Sequence, residues 1–249
     1  MDSKNNIGHS ADISLTAELP IPIYNGNTIM DFKKLASLYK DELLDNVLPF
    51  WLEHSQDHEY GGYFTCLQGR EVWMFSMLYN KVEKRQEWLD CAIQGGEFLK
   101  KYGHDGNYNW YFSLDRSGRP LVEPYNIFSY TFATMAFGQL SLATGNQEYA
   151  DIARKTFDII LSKVDNPKGK WNKLHPGTRN LKNFALPMIL CNLALEIEHL
   201  LDESYLKETM ETCIHEVMEV FYRPELGGII VENVDVDGSL VDCFEGRQI

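Results

Sequence analysis

Asn109-Trp110-Tyr111-Phe112-Ser113-Leu114-Asp115-Arg116-Ser117-Gly118 and Gly227-Gly228-Ile229-Ile230-Val231-Glu232-Asn233-Val234-Asp235-Val236-Asp237-Gly238 share one pattern. Each is a short β-prone run closed by an Asp-x-x-Gly or Asp-x-Asp-Gly turn, the signature of a small hairpin. Gly61-Gly62-Tyr63-Phe64-Thr65-Cys66-Leu67 begins the same way. Asp115 and Asp235 stand 120 residues apart, two units of about 60 residues, which makes a repeated helix pair the economical reading. The Asp235-Val236-Asp237-Gly238 stretch lacks the further spaced oxygen ligands and terminal Glu of a calcium loop, so it reads as a plain turn.

Between these copies the apolar residues recur with helical spacing. Leu35, Leu38, Tyr39, Leu43, Leu44, Val47, Leu48 and Trp51 form one stripe, and similar stripes run through 70–82, 84–102, 123–144, 146–164, 179–201 and 203–222, roughly seven helices. Pro187 predicts a kink or break in the sixth. The joins near Glu83, at Thr144-Gly145-Asn146 and near Asp202 are only a few residues long and imply antiparallel neighbours. After helices one, three, five and seven come longer segments rich in glycine and aromatic residues. All elaborate loops therefore fall at one end of an all-α fold, an open solenoid or a closed toroid. The aromatic loading of the loops favours a toroid around a sugar-sized cavity, because aromatic faces suit the C–H side of a sugar ring and polar groups suit its hydroxyls.

The chain has 249 residues and a net charge of −13, with its Lys and Arg spread among carboxylates, which argues against a nucleic-acid partner. No apolar run reaches the length of a membrane span, and residues 1–28 lack the basic start and apolar stretch of a signal peptide, so a cytoplasmic protein is expected. Those residues read as a flexible N-terminal segment ahead of a single domain at 29–249. Cys66, Cys91, Cys191, Cys213 and Cys243 form no CxxC pair, so neither zinc nor a disulfide framework is expected.

Three further stretches are Glu59-Tyr60-Gly61-Gly62-Tyr63-Phe64, Gln68-Gly69-Arg70-Glu71-Val72-Trp73 and Phe184-Ala185-Leu186-Pro187-Met188-Ile189-Leu190. With Asp115-Arg116-Ser117-Gly118 and Phe244-Glu245-Gly246-Arg247, these resemble the N-acylglucosamine 2-epimerase family over about residues 30–249, in the family's order. The likeness points to bacterial members that interconvert N-acetylglucosamine and N-acetylmannosamine. It implies an (α/α)6 barrel, here incomplete at about seven of twelve helices, with small β-hairpins in the loops at one end. It also implies proton abstraction at C2 of the open-chain sugar and reprotonation on the opposite face. Such a weak carbon acid needs a base, an acid on the other side and a cation near the carbonyl oxygen. Two histidines and an arginine play these parts in the family. Arg70 matches the arginine; Trp110 is expected as a hydrophobic wall for the sugar, and Met188 and Asn192, four apart on helix six, as cavity-facing groups. No metal or organic cofactor is required. Some family members respond to nucleotides, but no phosphate-cradling loop marks an effector site here. Full-length relatives tend to be homodimers.

The sequence departs from the family pattern in two places. The family's Gly-Arg pair leads within a few residues to Pro-Gly-His, whose histidine is one acid/base group, whereas this sequence reads Gly246-Arg247-Gln248-Ile249; the second histidine belongs to later helices. Leu67 also runs straight into Gln68, where the family has a turn and a return strand, an expected loss of something over a dozen residues. The expectation is a C-terminally truncated, internally shortened chain lacking its acid/base histidines, with uncovered apolar faces that cost several kcal/mol of packing at about 25 cal/mol per Å². His54, His58, His104, His175, His199 and His215 match no family acid/base position. Two alternatives stand beside the epimerase: a non-catalytic carbohydrate-binding or protein-interaction module, and a glycoside hydrolase-like toroid, which needs paired carboxylates drawn from Asp57, Glu59, Asp115 and Glu232.

Overall fold

Asp31 opens the first helix by accepting hydrogen bonds from the backbone N–H groups of Lys33 and Lys34 at 3.0 and 3.1 Å, a side-chain N-cap. The computed structural model describes residues 31–64, 68–124, 126–165 and 181–241. Helix α1 (Phe32–Glu42) continues through a π turn at Leu43–Val47 into α2 (Leu48–His54). Pro49 explains the widened turn, since it has no N–H for the carbonyl one turn back and its ring would crowd that carbonyl in a regular helix. There follow α3 (Gln68–Lys81), α4 (Gln86–Tyr102), α5 (Phe128–Thr144), α6 (Gln147–Ser162), α7 (Ala185–Glu196) and α8 (Glu203–Glu216), the last running into a second π turn at Val217–Phe221. The α5–α6 join is a two-residue hairpin: Gly145 takes φ +69° to end one helix, and the Asn146 side chain caps the next.

Helices α3, α5 and α7 lie side by side, and α4, α6 and α8 pack behind them. Because consecutive helices are antiparallel, the three inner ones run the same way and start at the end that carries the long loops. Helix α5 is the core of this arrangement. Tyr130, Ala133, Met135, Ala136, Phe137 and Leu140 are buried, covering every side of the helix. Behind it, α4 and α6 are amphipathic, burying Trp88, Ala92, Phe98, Ile152, Phe157 and Ile160.

The repeat is visible in the hydrogen bonds that close each long loop onto the helix before it. Phe64 N–H donates to Ser55 O at 2.7 Å, Tyr111 N–H to Gly103 O at 2.9 Å, and Val231 N–H to Phe221 O at 3.0 Å. The two turns match in the same way. Asp115 N–H bonds Arg119 O and Gly118 N–H bonds Asp115 O; Asp235 N–H bonds Ser239 O and Gly238 N–H bonds Asp235 O. Strand β1 (Ser113–Leu114) pairs with β2 (Pro120–Val122) as the expected hairpin. The later copy differs. Strand β4 (Tyr222–Arg223) pairs with β5 (Ile229–Ile230), whereas β6 (Asn233–Asp235) reaches back to β3 (Leu181–Asn183).

Strand β3 shortens the sixth helix, which had been expected from residue 179. Phe184 N–H is held by Glu232 O at 2.9 Å, and the helix proper starts at Ala185. Pro187 therefore sits in the first turn, where its missing N–H costs nothing, and no kink is needed. The fourth of the expected helices likewise starts at Phe128, whose N–H is capped by Asn126 Oδ1 at 2.9 Å, rather than at 123. The segment 1–28 and the junction after Leu67 lie outside the described residues or border them. Large apolar side chains remain exposed on α1 and α2 (Phe32, Tyr39, Phe50), on α7 (Met188, Leu195), on α8 (Ile214) and in the π turn after it (Met218).

Gly95 lets the first loop dock, because a Cβ there would overlap the Tyr63 ring, whose hydroxyl donates to Cys91 O at 2.7 Å. Gly95→Ala should lower unfolding stability by about 1–3 kcal/mol through overpacking. At an open helical site the same change would stabilise by up to about 1 kcal/mol. The midpoint of urea unfolding gives the sign, and a stabilised variant would refute the contact.

Candidate functional site

The first turn of α3 approaches α5 at a glycine. A Cβ on Gly69 would stand 3.1 Å from both Cβ and the carbonyl oxygen of Phe132, so a larger residue would push the helices apart. The next residue, Arg70, thereby lands over the Phe132 ring, with its guanidinium carbon 4.2 Å from the ring centroid. Arg70 is exposed, and it makes no ion pair or hydrogen bond among the described residues. A cation–π platform thus orients the guanidinium and leaves its N–H donors open.

Three stripes share the side of the inner helices that faces away from the outer layer. Arg70, Trp73 and Asn80 follow helical spacing on α3, Phe132 and Gln139 on α5, and Met188, Asn192 and Glu196 on α7. Cross-helix bonds establish that these stripes meet. Trp73 Nε1 donates to Glu196 Oε2 at 3.0 Å, Gln139 Nε2 to the same oxygen at 2.9 Å, and Asn80 Nδ2 to Gln139 Oε1 at 3.0 Å. Trp73 and Glu196 come from the helices flanking α5 and meet in front of it, so this is the concave face. Met188 and Asn192 are exposed on the stripe that ends in Glu196. Phe132, Gln139 and Glu196 were not singled out in the sequence. Their signal is the seven-residue step from Phe132 to Gln139, and a lone amide and a lone carboxylate in otherwise apolar helices.

Trp110 does not line this face. It is only 2 % exposed, its indole N–H donates to Thr156 Oγ1 at 3.1 Å, and His104 and Phe137 pack on the ring at 4.8 and 5.6 Å. The expectation of a sugar wall at Trp110 is corrected: with its polar atom satisfied inside the core, Trp110 anchors its loop to α5 and α6. Its partner His104 also accepts from Gly106 N–H at 3.0 Å, and burial holds its pKa below the usual imidazole value. His199 lies at the opposite end, 3.2 Å from Ser141 Oγ, and is likewise lowered by burial. His54, His58 and His215 are exposed, and His175 lies outside the described residues.

The acidic residues of the loop end are engaged elsewhere. Arg116 grips buried Asp57 through Nε at 2.6 Å and a terminal nitrogen at 3.0 Å, reaches Glu59 at 2.8 Å, and lies over the Tyr60 and Phe64 rings. This clamp ties the first loop to the β1–β2 turn. The Arg116 guanidinium and the N–H groups of Glu59 and Tyr60 hold the Asp57 carboxyl below its ordinary value. Asp115, bonded to Arg119 and Ser117, is held down to about 2. Carboxylates committed in this way do not form the free pair that a glycoside hydrolase uses. Among the described residues no group of three or more His, Cys, Asp or Glu is placed to hold a metal ion, and no helix is long and apolar enough to cross a membrane.

Inner and outer helix layers, parallel inner helices and loops gathered at one end define an (α/α)6-barrel architecture, seen here in part. Solved structures share it. A sugar epimerase from a ruminal bacterium superposes with a TM-score of 0.71 at 20% identity, covering 83% of this chain and 60% of that one. A D-mannose isomerase gives 0.64 at 14% identity, covering 89% and 63%. The chain belongs to the N-acylglucosamine 2-epimerase family, whose model matches residues 55–249. It is 36% identical over 226 residues to the N-acylglucosamine 2-epimerase of Rattus norvegicus, covering 82% of this chain and 54% of the relative. Against a Dictyoglomus turgidum cellobiose 2-epimerase it is 28% identical over 167 residues, 57% of this chain and 42% of the relative. The chain thus spans about half the length of the mammalian relatives it matches.

The Asp57–Arg116 clamp gives a pH signature. A carboxyl whose pKa is lowered in the folded state adds stability above its ordinary value of 3.8, and that stability is lost as pH falls through the folded value. Wild type should lose more stability on acidification below about pH 4 than Arg116→Met does, as read from urea midpoints across pH. Parallel curves for the two proteins would rule the clamp out as a source of acid sensitivity.

Proposed function

We propose that the protein is a sugar 2-epimerase that takes the open-chain form of N-acetylglucosamine or N-acetylmannosamine at the concave face. Arg70, seated on Phe132 and without an ion pair among the described residues, is the observation that carries this reading. Removing the C2 proton of an aldose places negative charge on the carbonyl oxygen, and an oriented guanidinium stabilises that enediolate as it forms. Reprotonation from the other face inverts C2. The aldehyde itself acidifies the proton, so the chemistry calls for no metal or organic cofactor. Met188 and Asn192 then serve as the wall and a polar contact along the sugar. The family resemblance assigns the two proton transfers to histidines, and none of the described histidines stands beside Arg70. That observation favours a second reading, carbohydrate binding without proton transfer.

Incubating the protein with N-acetylmannosamine in deuterated water separates the two. The epimerase reading expects deuterium at C2 and appearance of the epimer in the proton spectrum. Arg70→Ala should slow this by about 100-fold or more, and Phe132→Leu by a smaller factor of about 2- to 30-fold, the worth of the platform. Sugar binding with no exchange at C2 would establish the second reading instead.

A further inference from the structure

Beyond Arg70, the concave wall carries a polar chain, from Trp73 about one turn on to Asn80 nearly three turns on, that the proton-transfer chemistry does not use. Glu196 Oε2 accepts from Trp73 Nε1 at 3.0 Å and from Gln139 Nε2 at 2.9 Å, and the Glu196 carbonyl accepts from Gln139 Nε2 at 3.2 Å. Gln139 is itself fixed by Asn80, whose Nδ2 donates to the Gln139 side-chain oxygen at 3.0 Å and to its carbonyl at 2.9 Å. All three inner helices thus contribute groups that orient one carboxylate. Gln139 is buried, whereas Trp73 and Glu196 are half-buried and reach solvent on the concave side. Among the described residues nothing bonds Glu196 Oε1.

A strut tying α3 to α7 would not call for this chemistry. Apolar packing joins helices at less cost in desolvation than a carboxylate does, and a glutamine would accept the same two hydrogen bonds. What the carboxylate adds is a fixed, negatively charged acceptor with one oxygen left over, beside an indole whose N–H is already committed. Sugars present the matching features: hydroxyl groups that donate, next to C–H faces that lie on aromatic rings. Trp73 is three residues from Arg70 on the same helix face, a spacing one hexose can bridge.

We propose that Trp73 and Glu196 form a floor subsite for the end of the sugar remote from its carbonyl, and that the Glu196 carboxylate excludes sugars carrying an anionic group there. The proposal rests on the sugar-binding reading of the concave face. Glu196 acts on specificity directly, by accepting a hydroxyl proton that a phosphate dianion does not offer and by repelling its charge, and Gln139 and Asn80 act through Glu196 as positioning residues.

Calorimetric titration of the full chain with N-acetylmannosamine and with its 6-phosphate tests this, using wild type, Glu196→Gln and Trp73→Phe, with unfolding midpoints as the check that each variant is folded. Wild type is expected to favour the neutral sugar by about tenfold or more, and Glu196→Gln, which keeps an acceptor for the indole, to reduce that preference to about threefold or less. Trp73→Phe should weaken both sugars by a similar factor. It also identifies the Trp73 indole proton resonance, which should shift when the neutral sugar binds to wild type. Equal affinity of wild type for the two sugars, or an unchanged preference in Glu196→Gln, would overturn the subsite while leaving the sugar-binding reading intact. Failure of wild type to bind either sugar would overturn both.

Discussion

Helix α5 has apolar residues on every side, and an isolated helix of that kind cannot sit at a surface. Tyr130, Met135 and Ala136 point in different directions around it and all are buried, so α5 needs neighbours on all sides. Helices α3 and α7 flank it and α6 lies behind, with α4 completing the cover. Consecutive antiparallel helices can provide this only if alternate ones form the inner layer. The inner helices then run parallel, and their first turns, with the loops that precede them, all fall at one end. The position of the candidate site follows from the need to bury α5.

Close approach turns this layering into a binding face. Gly69 brings the backbone of α3 onto Phe132, which puts the next side chain, Arg70, over the ring. Farther down, the lone amide of α5 and the last carboxylate of α7 are satisfied by each other and by Trp73 and Asn80. A polar group on an inner helix has to be paired laterally, since there is little water between the layers. The concave wall therefore combines rigid apolar surface with a few fixed polar atoms, the composition expected of a small-molecule site.

The helices and tight hairpins were legible because their signals are local. Amphipathic periodicity, Gly145 followed by Asn146, and the Asp-x-x-Gly turns each act within a few residues. Strand β3 was not, because Leu181 falls in step with the helical stripe that follows and 181–183 become a strand only through pairing with β6, about fifty residues away in the sequence. Trp110 was misplaced for a related reason. An aromatic residue in a loop next to a cavity and one that plugs the core have the same local sequence, and the difference lies in Thr156 on another helix. The α5 part of the concave stripe, Phe132 and Gln139, was not legible because periodicity cannot say which side of an all-apolar helix faces a cavity. Arg70 was found through a family pattern, whereas Phe132 and Glu196 became visible only when α3, α5 and α7 were placed together.

The distribution of charge partners bears on Arg70 as well. In a chain with a net charge of −13, carboxylates are plentiful and loop-end arginines acquire them: Arg116 holds Asp57 and Glu59, and Arg119 holds Asp115. Arg70 stands at the same end without one among the described residues. An ion pair there would neutralise the guanidinium and occupy the donors that a developing oxyanion needs, whereas an aromatic ring positions the group and leaves its charge intact. The fixed carboxylate on the concave wall, Glu196, is instead held lower down by two donors of its own. The wall thus keeps a cation at the top and an anion at the floor, unpaired with each other, and a ligand that is polar at both ends and neutral overall completes both.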